Sequence, residues 1–279
     1  MRAGGEGKPL KTNEVVENMV VLSRELEGHL TEIEVKFLSC LPFLKAKGEI
    51  LEIGSFMGKS TVILASAARA AGYPRIFACD PLLLSSPTDP QGVHPDELPR
   101  ILRRNLENHN LLSFVKFYRK KSSELAVEWE DPIRVLWIDG DHTYSGATLD
   151  VSLFSPFLEP GGIVCLHDVL HGHEGPIRAF LERIVLSENF ANCGCCGSIG
   201  YGQYVGNSKL REKQWDEKLR LYTQLSRLIP YIVRSSHNLA RNKLAYKLFR
   251  AIVSHTDFNP SRWISKMNTW ATNTVEIGC

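Results

Sequence analysis

No apolar run among the 279 residues reaches the length of a membrane span. Residues 1–11 are polar and glycine-rich and lack the apolar core of a signal peptide. A cytoplasmic, soluble protein is therefore expected. The seven cysteines are an odd number, and three of them crowd into Cys193-Gly194-Cys195-Cys196. A second cluster at metal-ligand spacing is missing, which argues against a structural zinc site and for buried, reduced thiols. No recognised nucleic-acid motif is found. A phosphate-cradling P-loop is one residue short, because Gly54 and Gly58 enclose three residues where that motif needs four.

What is present suits a globular core: 43% of residues are apolar and 23% charged. The net charge of +2 hides a division. Residues 206–279 hold 13 Lys and Arg against 5 Asp and Glu, a net of +8, while residues 1–205 hold 20 against 26, a net of −6. An acidic body with a basic tail follows, with a boundary near residue 206. The chain divides into a helical segment 1–29, a central domain 30–206 and a basic helical extension 207–279.

Residues 12–27 and 31–46 carry apolar residues at helical spacing, and Thr31 with Glu34 makes a capping-box pattern. These helices either form a lid over a site or cover a sheet. Glu49–Ile53 reads as a buried strand, Gly54 to Gly58 as a tight turn, and the alanine-rich run that follows as a helix with Lys59 in its first turn. That order builds a ligand site at the carboxyl end of a parallel strand. Residues 75–79 read as a second strand ending at Asp80-Pro81. Residues 81–99 hold five prolines and little periodicity, as substrate-recognition loops do. A helix from 96 to 110 and a strand from 114 to 118 lead to Ser122, which either faces a ligand or caps the next short helix.

The run Ile133-Arg134-Val135-Leu136-Trp137-Ile138 is nearly continuously apolar, as a central parallel strand should be. It ends in Asp139-Gly140-Asp141-His142-Thr143-Tyr144. Pro160-Gly161-Gly162 reads as a turn before a fifth strand, 163–166, which ends in His167-Asp168. Asp139 and Asp168 are 29 residues apart, one βαβ repeat. Right-handed crossovers bring the carboxyl ends of parallel strands to one edge, so Glu52, Asp80, Asp139 and Asp168 should meet in one crevice. A helix at 174–187 and an antiparallel hairpin at 190–196 and 199–206 complete the pattern. The expected fold is α/β: a Rossmann-like, doubly wound, seven-stranded sheet with a closing antiparallel hairpin and a helical C-terminal extension.

With these motifs the chain resembles the class I S-adenosylmethionine-dependent methyltransferases over about residues 30–206. The run from Leu51 to Thr61, the run from Ile138 to Tyr144, and His167-Asp168 are similar to a narrower branch, that of macrocin-type O-methyltransferases and cephalosporin-hydroxylase-like proteins. Phe56 departs from the broad class, many of whose members have a second glycine there. The resemblance implies S-adenosylmethionine as cofactor. Glu52, Gly54, Ser55, Gly58 and Ser60 would shape its pocket, Asp80 would bind the ribose, Ser122 would lie near the adenine, and Asp139 would sit at the same edge. It also implies magnesium held by Asp139 and Asp168, with His167 as a further candidate ligand, to acidify an acceptor hydroxyl. Asp141 and His142 are the candidate bases. His142 has the better unperturbed pKa, whereas Asp141 matches the position more often used in the branch. His171 and His173 face either substrate or solvent.

The implied reaction is O-methylation of a sugar or other small hydroxylated metabolite. A hydroxylase-like enzyme of the same fold and a non-catalytic module recruiting a partner are the alternatives. In the tail, Leu219, Tyr222, Leu225, Leu228 and Ile229 suggest one apolar stripe, and Leu239, Leu244, Tyr246, Leu248 and Phe249 another. These helices either pack on the body, pair two subunits into a homo-oligomer, or offer a basic amphipathic surface to a membrane or an acidic partner. Nucleic acid is not an expected partner.

Overall fold

The computed structural model describes residues 11–89, 93–206, 208–236 and 243–273. Leu239 of the second predicted stripe and most of the polar stretch 1–11 lie outside the described residues.

The strands are β1 Glu49–Ile53, β2 Ile76–Cys79, β3 Val115–Tyr118, β4 Ile133–Ile138, β5 Leu158–Leu166, β6 Phe190–Cys196 and β7 Ile199–Tyr204. They form one sheet in the order β3-β2-β1-β4-β5-β7-β6, parallel from β3 to β5, with β7 antiparallel to both β5 and β6. The fold is thus the expected doubly wound α/β sheet with a closing hairpin. Its strand order reverses between β1 and β4, where ligands bind in such sheets. The register aligns Ile53 with Cys79 and Ile138, and Ile138 with Leu166. The next residues, Gly54, Asp80, Asp139 and His167, therefore leave the sheet side by side.

The helices are α1 Thr12–Ser23, α2 Glu32–Cys40, α3 Lys59–Ala70, α4 Leu98–Asn108, α5 Ser122–Glu128, α6 Tyr144–Phe154, α7 Glu174–Ala179, α8 Glu212–Ser226, α9 Ile229–Ser236, α10 Lys243–Ile252 and α11 Pro260–Asn273. They cover both faces of the sheet, which is why β1 and β4 are apolar nearly throughout. One apolar cluster joins α1, α2, α3, α4 and α11 to one face. The other joins α5, α6, α7 and the tail residues Leu225, Leu228, Ile232 and Val253 to the opposite face. The tail helices thus share both cores with the body. Gln203 of β7 ties α11 down by donating from Nε2 to Gly161 O at 3.1 Å and Met267 O at 3.0 Å.

Two local expectations change. α1 ends at Ser23 rather than near residue 27, and Glu27 to Thr31 border the central cavity instead. Pro160-Gly161-Gly162 is not a turn but the bent middle of β5, where pairing slips from Ile133↔Leu158 to Val135↔Ile163. Gly161 has φ +87°, and a Cβ on Gly162 would fall 2.8 Å from Glu159 O, so the bulge needs both glycines. Among the described residues no helix is long and apolar enough to cross a membrane. Cys40, Cys79, Cys165, Cys195 and Cys196 are buried free thiols.

Candidate active site

A cavity of about 860 Å³ opens at the carboxyl edge of β1, β2, β4 and β5. Its floor is the turn after β1. Gly54 has φ +87°, and a Cβ there would fall 2.2 Å from Asp139 O. Only glycine lets the ends of β1 and β4 approach this closely. Ser55 N and Phe56 N donate to Asp80 Oδ2 at 2.8 and 2.9 Å, and Leu82 N donates to Oδ1 at 2.7 Å. Asp80 thus holds the turn as well as facing the cavity, and a carboxylate has further lone pairs for ligand hydroxyls. Phe56 sits at φ +47°, the left-handed conformation that glycine adopts without penalty. The departure noted in the sequence therefore places a bulky residue in a strained position at the cofactor turn.

Glu52 and Gly58 were expected to shape the cofactor pocket, but the structure puts both behind its wall. Glu52 is fully buried and accepts from Ser55 Oγ at 2.9 Å and Thr61 Oγ1 at 2.6 Å. Burial pushes its carboxyl up to about 7, against the hydrogen bonds of Ser60, Thr61 and Ser55. Gly58 has φ +89°, a left-handed conformation that favours glycine, and it packs against Leu102. Ser55 and Ser60 do line the cavity. So does Ser122, which donates from Oγ to Asp150 Oδ1 at 2.6 Å. Asp150 was not singled out in the sequence, where it reads as one more polar residue on a helix. It is 4% exposed, and burial raises its carboxyl to about 6.

Asp139, Asp141, His142, His167 and Asp168 meet across the cavity. Asp139 Oδ1 lies 3.1 Å from His167 Nδ1 and 3.3 Å from His142 Nε2. Asp168 Oδ2 lies 3.6 Å from the same His142 nitrogen, and Oδ1 lies 3.4 Å from His167 Nδ1. Burial works against charge on Asp139, but the two imidazoles outweigh it and hold the carboxyl below its usual range. Burial likewise opposes charge on His142, and the bond to Asp139 and the charges of both aspartates win, raising its pKa. His167 is 5% exposed and is raised further, since Asp139, Glu34 and Asp168 together overcome its burial.

Glu34 is the group that sequence reading missed. As the third residue of α2 it forms the predicted capping box, its Oε2 accepting from Thr31 N at 2.8 Å. Its Oε1 accepts from Ser198 N and Ser198 Oγ, both at 2.6 Å, and Oε2 lies 3.8 Å from His167 Nε2. The capping box was the only signal at this position, and it accounts for one oxygen alone.

Asp141 is committed to structure. Its Oδ1 accepts from Ser86 Oγ at 2.7 Å and Thr143 N at 2.9 Å, and its Oδ2 from Thr143 Oγ1 at 2.9 Å. Burial would raise its pKa, but these bonds lower it, which makes it a poor base. It instead fastens the proline-rich loop after β2 over the cavity, with Thr88 Oγ1 accepting from His142 N at 3.2 Å. His173 stacks on His142 at 5.3 Å between ring centroids and also lines the cavity, as does the exposed His171.

The donors at the edge do not fit magnesium in this arrangement. Among the described residues no group of three or more His, Cys, Asp or Glu side chains is placed to hold a metal ion. Asp139 Oδ1 already faces two imidazoles. His167 is engaged at both nitrogens, by Asp139 at Nδ1 and by Ser198 and Glu34 at Nε2.

Residues 51–169 match a family model described as a methyltransferase domain. Among solved structures, the O-methyltransferase NovP is 15% identical, with a TM-score of 0.52 over 70% of this chain and 98% of that one. CalS11, a TDP-rhamnose 3′-O-methyltransferase in calicheamicin biosynthesis, is 19% identical, with a TM-score of 0.50 over 71% and 88%. TomG from Streptomyces achromogenes, an O-methyltransferase solved in complex with S-adenosylmethionine, is 16% identical, with a TM-score of 0.50 over 69% and 90%. The chain shares the Rossmann-like α/β fold of these neighbours, and its residues 51–169 are similar to a methyltransferase domain.

Proposed function

We propose that the protein is an S-adenosylmethionine-dependent O-methyltransferase that acts on a sugar or other small hydroxylated metabolite, with His142 as general base. The observation that supports this most is His142 itself. It lines the same cavity as the glycine turn and is backed at Nε2 by two carboxylates, Asp139 and Asp168. The domain match and the neighbours' O-methyltransferase activities agree with the reading.

The residues present fit the cofactor. Gly54, Ser55, Asp80, Ser122 and Asp150 line one cavity of about 860 Å³, room enough for a nucleoside-sized ligand. Gly54 and Ser55 would hold the methionine part, Asp80 the ribose, and the Ser122–Asp150 pair the adenine side. Once bound there, the cofactor supplies an electrophilic methyl group on a sulfonium centre. The chain's own part is to place the acceptor hydroxyl, exclude water and remove one proton. His142 takes that proton at its ring, and Asp139 and Asp168 stabilise the imidazolium that results. The loop fastened by Asp141 covers the acceptor, and no step requires a metal ion.

Calorimetric titration with S-adenosylmethionine tests the cofactor, and the absence of binding at millimolar concentration overturns it. Incubation with candidate sugars followed by mass spectrometry tests the reaction, for which a gain of one methylene unit is the expected product.

A further inference from the structure

We propose that α10 docks the protein on an anionic lipid surface and holds the mouth of the cavity beside it. The helix has two unlike faces. Tyr246 and Phe249 pack against the second apolar cluster, and Tyr246 Oη donates to Leu170 O at 2.7 Å. Arg250 on the same side lines the cavity, and Val253 just past the helix end is 2% exposed. The opposite side carries Leu244, Lys247, Leu248, Ala251 and Ile252, the i, i+3, i+4, i+7, i+8 spacing of one helical face. All five are exposed, Leu244 at 69%, Leu248 at 60% and Ile252 at 52%. The inward face anchors the helix, so these aliphatic side chains do nothing for the core.

Charge identifies the occupant. Residues 218–256 contain eight Lys and Arg and no Asp or Glu. Arg220, Arg227, Arg234 and Lys247 are exposed among them. Gln224 Nε2 of α8 donates to Ile252 O at 3.3 Å, so α8 lies against the end of α10. Aliphatic side chains flanked by an excess of cations complement a lipid interface: the aliphatics enter the acyl boundary and the cations meet anionic headgroups. A soluble polyanion would engage the cations and leave the leucines in water. A second copy of the chain would set cations against cations, because a two-fold interface brings a patch onto itself. Arg250 lies on the opposite side of the same helix, so docking sets the cavity one helix diameter, ~10 Å, from the headgroup layer. An acceptor hydroxyl on a membrane-anchored molecule could then react in place. This last step rests on the proposed methyl transfer, whereas the docking does not.

The test is co-sedimentation of the full chain with phosphatidylcholine vesicles and with equal mixtures of phosphatidylcholine and phosphatidylglycerol. The double variant Leu244→Asp/Leu248→Asp is measured beside it. Calorimetry with S-adenosylhomocysteine serves as a control for folding. The wild type is expected to pellet with mixed vesicles and to bind phosphatidylcholine alone roughly tenfold more weakly. The double variant should lose roughly tenfold or more of its binding to mixed vesicles while melting as the wild type does. Failure of the wild type to pellet with mixed vesicles overturns the proposal. So does equal pelleting of the variant, which would assign the face to acidic polymers in general. A dimer that dissociates in the variant, seen by sedimentation velocity without vesicle binding, also overturns it by assigning the face to a second copy. Vesicle binding without any binding of S-adenosylhomocysteine would sink the proposed enzyme activity and leave the docking standing.

Discussion

At the residue scale the site is a matter of charges paired in confined space. Two carboxylates and two imidazoles share the end of β4 and β5, and each alters its neighbour's affinity for protons. Replacing His142 with glutamine keeps much of the shape and removes the proposed base, so kcat should fall about 10²–10⁴-fold. Affinity for S-adenosylhomocysteine, measured by calorimetry, should stay unchanged. The base works only when neutral, and its pKa is raised above 6.5, so the wild-type rate should climb with pH and level off above that value. A pH–rate profile already flat below 6.5 would remove His142 from the role. Glu34 bears on stability. Its folded pKa is about 2, below the unfolded 4.5, because the bonds from His167, Ser198 and Thr31 outweigh its burial. A depressed carboxyl stabilises the fold fully above its unfolded pKa and loses that contribution as pH falls toward the folded one. Glu34→Gln should remove on the order of 2–3 kcal/mol at neutral pH and flatten acid unfolding between those two values. Tryptophan fluorescence during acid titration would show it. His142 was legible in the sequence as a candidate base beside Asp141. The choice between them was not, because it depends on Ser86 and Thr143 occupying the Asp141 oxygens.

At the element scale the important pieces are a turn and a loop. The turn after β1 is short because glycine at 54 and 58 allows left-handed backbone, and its amides are collected by Asp80 from the next strand. The loop after β2 reads from the sequence as a substrate-recognition loop, but its lack of periodicity gives no sign of what fastens it. In the folded chain it is tied to the end of β4 by Ser86 and Thr88. Asp141→Asn weakens that tie by removing the charge that accepts four hydrogen bonds. The expected result is a KM for the acceptor raised about tenfold, with cofactor affinity unchanged, read from steady-state kinetics. An equal fall in kcat with unchanged KM would instead make Asp141 a participant in proton transfer.

At the scale of the whole molecule, the sheet brings together side chains from four strand ends, and the tail helices close both faces. Trp263 of α11 packs on Phe37 and Tyr201 with ring centroids 4.8 and 5.6 Å apart, joining the two ends of the chain. Trp263→Ala should cost about 3–5 kcal/mol in chemical denaturation, the scale of other buried aromatic truncations. The proposed methyl transfer should continue undiminished in excess EDTA, since among the described residues no group of three or more candidate ligands is placed to hold a metal ion; a chelator-sensitive rate restored by magnesium would reverse that conclusion. The sequence by itself determined the parallel strands with their closing hairpin, the glycine turn and the convergence of Asp80, Asp139 and Asp168, because period, turn chemistry and crossover handedness are local or follow from a general rule. Only the tertiary structure decided that Glu52 lies behind the pocket, that Glu34 reaches His167, that Asp141 holds a loop and that α10 turns its leucines outward. Each of these depends on contacts between residues distant in the chain, whose distances and burial no local pattern encodes.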